Sequence, residues 1–430
     1  MDSFPRVGFW ISPRHLELNL FLFGDVKLVN WLHRTMTMWI VRGNPPYTHL
    51  LAPSSLAETE MAQLEENAVI AMIKEALERS PYACSSLVRM TAGTTNFVFR
   101  GTLIQPITSP NGLNNTVIIK HSKCHVPGNK DFPLDLSRCL VEESMLEALN
   151  TFPAGAMGVT TPHFYWFDRD THIMVIADLP DALDLKSIMT SPVVNTTLNL
   201  TVASTIGHHL GTWLRTFHTW GSEPAQIRLL NEMNQNKAMR DLKYKITYGT
   251  FIEVLQEFPD ILGDDAMQLQ ALREWAAKEF EKNPADKDQQ GWGLIHGDFW
   301  TGKVLSSEKL KMFIVDWEFA QFGNWSYDLG QMIGDIYERE HFHNIDHALL
   351  MIRAFVEGYG GLSDNMAYRT AIHSGAQLLG WYKRRAPGSP LFGTRRQIEA
   401  AVVLGKEFVL RGWQKDRVWF ETSPLAALFI

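Results

Sequence analysis

Two acidic segments stand close together in the last third of the chain. Ile295-His296-Gly297-Asp298-Phe299-Trp300-Thr301-Gly302-Lys303 is followed by Phe313-Ile314-Val315-Asp316-Trp317-Glu318-Phe319. A carboxylate on a turn after an apolar stretch, then a second one closing a strand-like run, is how phosphoryl-transfer sites set a base beside a magnesium ligand. The loose transition state of that reaction calls for positioning and charge neutralisation, with little covalent work for the protein. Alone, Asp298 reads as a turn cap and Asp316 as a strand end. As a pair at hairpin separation they read as a site. Asp316 and Glu318 are two apart, so on extended backbone both point to one face and reach one hard cation. Gly297 admits a tight backbone, and His296 is expected to pin the loop rather than to act on substrate.

A third charged position lies far upstream. Lys120 closes the nearly all-apolar run Thr116-Val117-Ile118-Ile119-Lys120, and a lysine seldom enters such surroundings without a partner. Phosphotransferases use a strand-borne ammonium on the α- and β-phosphates, held by a carboxylate on a helix. Ala92-Gly93-Thr94-Thr95-Asn96 precedes it in the order expected of a phosphate-covering turn, although one glycine makes a weak motif.

His-Gly-Asp-Phe-Trp-Thr-Gly, then Asp-Trp-Glu-Phe, then Asp328-Leu329-Gly330 resemble the aminoglycoside phosphotransferase and choline kinase superfamily. Within it, the likeness is to methylthioribose kinase and fungal small-molecule kinases, and it extends over residues 85 to 412. The resemblance implies an α+β, bilobal, protein-kinase-like fold with a small β-rich lobe, a larger helical lobe and adenine held at a hinge. ATP and Mg2+ are the implied cofactors, and a hydroxyl of a small molecule the implied acceptor. By residue, it implies Asp298 as the base orienting the acceptor and Asp316 with Glu318 on the metal. Lys120, Glu142, Gly93 and the hinge residue Asp178 are implied on the nucleotide, and Asp328 as a brace of the catalytic loop. Glu142 is chosen because Glu142 to Leu149 looks like the family's helix; Glu143 and Glu147 are alternatives. The chain departs from the pattern at Lys303, where the family places a metal-binding Asn. A protonated lysine has no lone pair for a metal. Either Glu318 supplies the missing oxygen, or Lys303 pairs with Asp298 or Asp316 and leaves an impaired, nucleotide-binding pseudokinase.

Around the site, the pattern divides into an extension at 1–54, a nucleotide-binding lobe at 55–178 and a catalytic lobe at 179–430. Ser55 with Glu58 reads as a capping box before a helix with the stripe Leu64, Ala68, Met72, Ala76 and Leu77. Strands are expected at 96–100, 116–120 and 173–176, with a turn at Ser109-Pro110-Asn111-Gly112 and a helix over 138–149 burying Leu140, Met145 and Leu149. Helices dominate afterwards. One carries Ile206, Leu210, Trp213, Leu214 and Phe217, and a late one opens on the Thr394/Gln397 capping box and carries Ile398, Val402 and Phe408.

Composition bounds the rest. The net charge of −7 over 430 residues gives no footprint for nucleic acid or an anionic membrane. Leu16 to Val41 is too polar to span a bilayer, so no integral membrane segment is expected. Three cysteines, unpaired in number and not at zinc spacing, fit a reducing cytoplasm. No Asp-Phe-Gly or Ala-Pro-Glu segment follows Asp316, which disfavours a protein kinase. His341, His343 and His347 read as a solvated helix face, and Lys383-Arg384-Arg385 as a solvated basic face.

Overall fold

The computed structural model describes residues 56–90, 95–109, 112–127, 129–153, 158–190, 198–286, 290–307, 310–345, 347–383 and 393–430. The extension at 1–54, Ser55 of the expected capping box and the tip of the first hairpin lie outside them.

The β-rich stretch folds as one antiparallel sheet. Its strands β1 (Cys84–Met90), β2 (Asn96–Ser109), β3 (Gly112–Ser122), β4 (Phe164–Asp168) and β5 (Ile173–Ala177) are ordered β1-β2-β3-β5-β4. Alternation along β3 assigns its two faces. Val117 and Ile119 pack with Phe97, Phe99 and Val175 against Val69, Ile73 and Leu77 of α1 (Leu56–Leu77). Ile118 and Lys120 therefore turn to the opposite face. There Met174 and Ile176 of β5 meet Val141, Met145 and Leu149 of α2 (Ser137–Leu149). The strand that the sequence presents as apolar thus delivers one ammonium to the face that α2 covers.

Both helical stripes differ in detail from expectation. On α1 the buried line is Val69–Ile73–Leu77, spaced by four, and Leu64 is exposed. On α2, Leu140 lies at the surface and Val141 takes its inward place. A one-residue step rotates a helix position by about 100°, so adjacent apolar residues cannot share a narrow contact.

The second lobe is helical, and the helices that matter here are α3 (Leu200–Trp220), α4 (Lys237–Ile246), α5 (Ser326–His343), α6 (Ala348–Tyr359), α7 (Asp364–Lys383) and α8 (Arg395–Gln414). All five apolar positions expected on α3 are buried, as are Ile398, Val402 and Phe408 on α8, whose Thr394/Gln397 capping box is formed. The whole is the bilobal, kinase-like α+β arrangement that the resemblance implied. Among the described residues no helix is long and apolar enough to cross a membrane.

Two short ladders hold the acidic segments. β6 (Trp292–Ile295) pairs with β9 (Gln321–Asn324), and β7 (Val304–Ser306) pairs with β8 (Met312–Ile314), both antiparallel. Ile295 lies opposite Gln321 and Val304 opposite Ile314. The chain must cross from the first ladder to the second at 296–303 and return at 315–320. These two crossings run side by side, and they contain Asp298 and Asp316.

α3 and α6 support the ladders and touch backbone to backbone. A Cβ on Gly211 of α3 would stand 2.0 Å from the carbonyl oxygen of Phe355 on α6. Gly211→Ala is therefore expected to force the helices apart, costing about 1–3 kcal/mol as overpacking does. Thermal or urea unfolding of the variant measures this; an unchanged midpoint would refute the close contact.

Candidate active site

The catalytic-loop candidate is held from behind by α5. Asp328 accepts hydrogen bonds from the backbone N–H of His296 at 2.8 Å and of Gly297 at 2.9 Å. His218 of α3 donates to the same carboxylate at 3.1 Å, while its other ring nitrogen accepts from Tyr359 of α6 at 2.9 Å. Asp328 therefore braces the loop, as the resemblance implied, and ties it to three helices. Gly297 sits at φ 77°, and a Cβ there would lie 2.2 Å from the carbonyl oxygen of Phe319. Only glycine lets the two crossings approach so closely.

His296 links the same crossings. Its Nδ1 accepts from the Asp298 N–H at 3.2 Å, leaving Nε2 to donate to the Val315 carbonyl at 3.2 Å. Full burial pushes the imidazole pKa down and keeps the ring neutral. The histidine pins rather than reacts.

The residues holding the loop follow one face of α5. Asp328, Gln331 and Asp335 are spaced i, i+3 and i+7. Gln331 donates to Asp298 Oδ1 at 2.7 Å, and Asp335 accepts from both the backbone and the hydroxyl of Thr301. Arg339 closes the row on Asp335 at 3.0 Å.

Asp298 has donors on both oxygens. Lys243 of α4 reaches Oδ1 at 3.1 Å beside Gln331, the indole N–H of Trp300 reaches Oδ2 at 3.1 Å, and Lys303 stands 3.8 Å from Oδ2. Burial raises the pKa of this carboxyl, but the two lysines and the Gln331 hydrogen bond outweigh it and hold it at about 2. The result is a firmly ionised, firmly oriented carboxylate.

Across the gap, Lys120 donates to Glu142 Oε1 at 2.6 Å and Oε2 at 2.7 Å, and to Asp316 Oδ1 at 2.8 Å. Burial disfavours the ammonium, but Asp316, Glu142 and Glu318 together hold its pKa well above the ordinary lysine value. Of the three glutamates left open by the sequence, Glu142 is the partner; Glu143 pairs with Arg169 and Glu147 is exposed. Lys303 occupies the other oxygen of Asp316, Oδ2, so its ammonium lies between the two acids of the site.

The local backbone around Asp316 is not the extended segment expected. Asp316 has φ 73° and Trp317–Phe319 forms a single 3-10 turn, because the chain must double back from β8 into β9. The i, i+2 argument for a shared face therefore does not apply. Side-chain oxygens of Glu142, Asp316 and Glu318 nevertheless lie within 4.8 Å of one another. Such a hard-oxygen set fits magnesium. Glu318 also has a second task, since its carboxylate takes the Thr95 hydroxyl at 2.6 Å, Asn96 at 3.0 Å and Arg138 at 3.2 Å. Arg138 and Glu142 are four apart on α2, so one helix face serves both Glu318 and Lys120.

Gly93 of the segment expected to cover phosphate lies outside the described residues, and the last two residues of that segment, Thr95 and Asn96, are those that Glu318 holds. The side chain of Asp178 is engaged by Arg100 of β2 at 2.8 Å and caps its own turn through the Leu179 N–H at 2.8 Å. His341 hydrogen-bonds the Gln397 carbonyl at 2.7 Å, and the basic run from Lys383 lies outside the described side chains. Lys243, Gln331, Asp335 and Arg138 were not found from sequence. The polar spacing of α5 could have revealed two of them; Lys243 on α4 looks like any solvated lysine.

Residues 202–364 match the model of the phosphotransferase enzyme family. The chain is 29% identical over 386 residues to phosphotransferase FrzJ of Cladobotryum sp, covering 85% of this chain and 97% of that one. It is 21% identical over 363 residues to 4-hydroxytryptamine kinase of Psilocybe cubensis, covering 80% and 86%. To methylthioribose kinase of Geobacillus sp. (strain WCH70) it is 27% identical over 270 residues, 60% of each chain. All three relatives are named for catalysis, so the impaired-kinase reading of Lys303 gains no support.

Because Asp298 is held below its ordinary carboxylate value, its stabilising contribution is present above about pH 4 and lost as pH falls through about 2. Lys243→Met is expected to move that loss to higher pH and to cost about 1–3 kcal/mol at neutral pH. Urea midpoints measured from pH 7 down to pH 3 compare the two proteins. If the curves ran parallel, Lys243 would not be what depresses Asp298.

Proposed function

We propose that this chain, a member of the phosphotransferase enzyme family, moves the γ-phosphoryl group of ATP to a hydroxyl of a small organic acceptor in the presence of magnesium. The observation that carries the reading is the side-by-side placement of Asp298 and Asp316 on the two crossings, with the Lys120–Glu142 pair against Asp316. Lys120 engages the α- and β-phosphates. Asp316, beside Glu142 and Glu318, would hold the metal, which would supply charge neutralisation to the phosphates. Glu318 also ties the end of the phosphate-covering turn to the metal segment.

Asp298 receives the acceptor hydroxyl and directs a lone pair at phosphorus. The acceptor oxygen bonds to the γ-phosphorus as the bond to the β,γ-bridging oxygen breaks, and that electron pair leaves with ADP. The hydroxyl proton ends on Asp298. A carboxyl held at about 2 is a weak base toward a free alcohol, so the proton moves late, once the new oxygen–phosphorus bond has made it acidic. Positioning is then the larger share of what Asp298 does. The relatives' names, which cite hydroxytryptamine and methylthioribose as acceptors of those enzymes, favour a hydroxyl on a small metabolite. A cytoplasmic setting, with ATP and three free thiols, suits this chemistry.

Asp298→Ala is expected to lower turnover about 10²–10⁴-fold while ATP affinity holds. Asp316→Ala should instead abolish the extra thermal stabilisation that magnesium adds to ATP. An acceptor panel read by ADP release, with thermal shifts alongside, measures both. Wild-type turnover by Asp298→Ala would remove it from the reaction.

A further inference from the structure

Every oxygen of the three-carboxylate group already has a donor. Both oxygens of Glu142 face Lys120. Those of Glu318 are taken by Thr95, Asn96 and Arg138. Asp316 gives Oδ1 to Lys120 and Oδ2 to Lys303. Only one of these contacts is released by the nucleotide itself: when Lys120 turns to the phosphates, Asp316 Oδ1 is freed. Lys303 is carried on the catalytic loop, where its backbone is held from both sides. Its backbone N–H donates to the Trp300 carbonyl at 2.8 Å, and its own carbonyl accepts from Val315 at 3.0 Å.

We propose that Lys303 is a tethered cation that takes the place of one of the two metal ions used by kinase sites, so that this enzyme works with a single magnesium per nucleotide. The proposal rests on the phosphotransferase reading above and extends it. In two-metal kinase sites one ion is shared between the acid after the β-ladder and an Asn of the catalytic loop. Here the loop residue is an ammonium on Asp316 Oδ2, 3.8 Å from Asp298. A metal at that place would meet a fixed positive charge, and the nearest carboxylate oxygen, Asp316 Oδ2, is already bonded to it. An ammonium has three donors and no lone pair, so it can neutralise a transferring phosphoryl group yet not bind a metal. The charge balance agrees. Lys120, Arg138, Lys243 and Lys303 stand against Glu142, Asp298, Asp316 and Glu318, so these eight groups cancel before any ion arrives. Trp300 flanks Lys303, its ring 6.0 Å from the ammonium.

The test counts metal ions rather than turnover. The full chain is saturated with a non-hydrolysable ATP analogue and titrated with Mn2+, the free ion being followed by electron paramagnetic resonance. Wild type is expected to bind one Mn2+ per nucleotide. Lys303→Asn, which restores an oxygen ligand, is expected to bind two, and Lys303→Arg, which keeps the charge, one. Two ions on the wild-type protein would overturn the proposal whether or not any variant folds, and so would a folded Lys303→Asn that stays at one. A wild-type chain that bound the nucleotide with no Mn2+ at all would instead overturn the phosphotransferase reading on which this rests.

Discussion

The buried Asp328 side chain, with no exposed surface, is the point on which the site depends. It receives two consecutive backbone N–H groups at the loop's sharpest bend and one imidazole from α3. Those two N–H groups sit where neither ladder offers them a partner, and an orphaned buried donor is costly. Asp328 satisfies both at once and so fixes the bend. Because the same side chain is bonded to His218, and His218 to Tyr359, the loop's position is slaved to the packing of α3, α5 and α6. The glycine contact between α3 and α6 belongs to this arrangement: helices that pack backbone to backbone hold a reference frame stiffer than one separated by long side chains.

From that anchor the rest of the loop is indexed by helical geometry. α5 repeats the hold at Gln331 and Asp335, so that residues 296, 297, 298 and 301 are each tied to a side chain of one helix. A rigid element thus sets the orientation of Asp298. His296 carries the registration across to the second crossing, and Glu318 carries it from there to the sheet lobe through Thr95, Asn96 and Arg138. The helical lobe and the sheet lobe are thus joined through buried polar groups. Such a network is stable only when every member is paired, since low dielectric magnifies gains and losses alike.

What the sequence made legible was the chemistry and the order of parts. Asp298, Asp316 and Lys120 lie together as their types suggested, Glu142 joins them as the resemblance implied, and the helical stripes of α3 and α8 were readable because burial there follows a simple period. Two things resisted. The backbone at Asp316 was misread as extended, because an apolar run ending in Asp-Trp-Glu has the pattern of a strand; its left-handed turn is imposed by ladder pairing at Val304 and Gln321. The partners of Asp298 were invisible for another reason. Lys243 and Gln331 are residue types that normally face water, and only tertiary packing of α4 and α5 turns them inward. The α5 spacing of 328, 331 and 335 was the one available clue, since polar groups recurring at helical period among Leu329, Met332, Ile333 and Ile336 call for buried partners.

Lys303 is where local reasoning and tertiary structure bear on each other most. Read against the motif, it is a defect, a donor where an acceptor belongs. Inside the folded site it balances Asp316, which would otherwise present an unpaired oxygen to a cleft with three other carboxylates nearby. A metal ion can do this only while nucleotide and ion are bound; a tethered ammonium does it continuously and leaves the empty site neutral. A lysine pays more side-chain entropy to be held than an asparagine does. The backbone that carries it is pinned at both its N–H and its carbonyl, and the Trp300 ring stands 6.0 Å from its ammonium. The substitution is therefore compatible with the loop that bears it. The carboxylate it faces gives its other oxygen to Lys120.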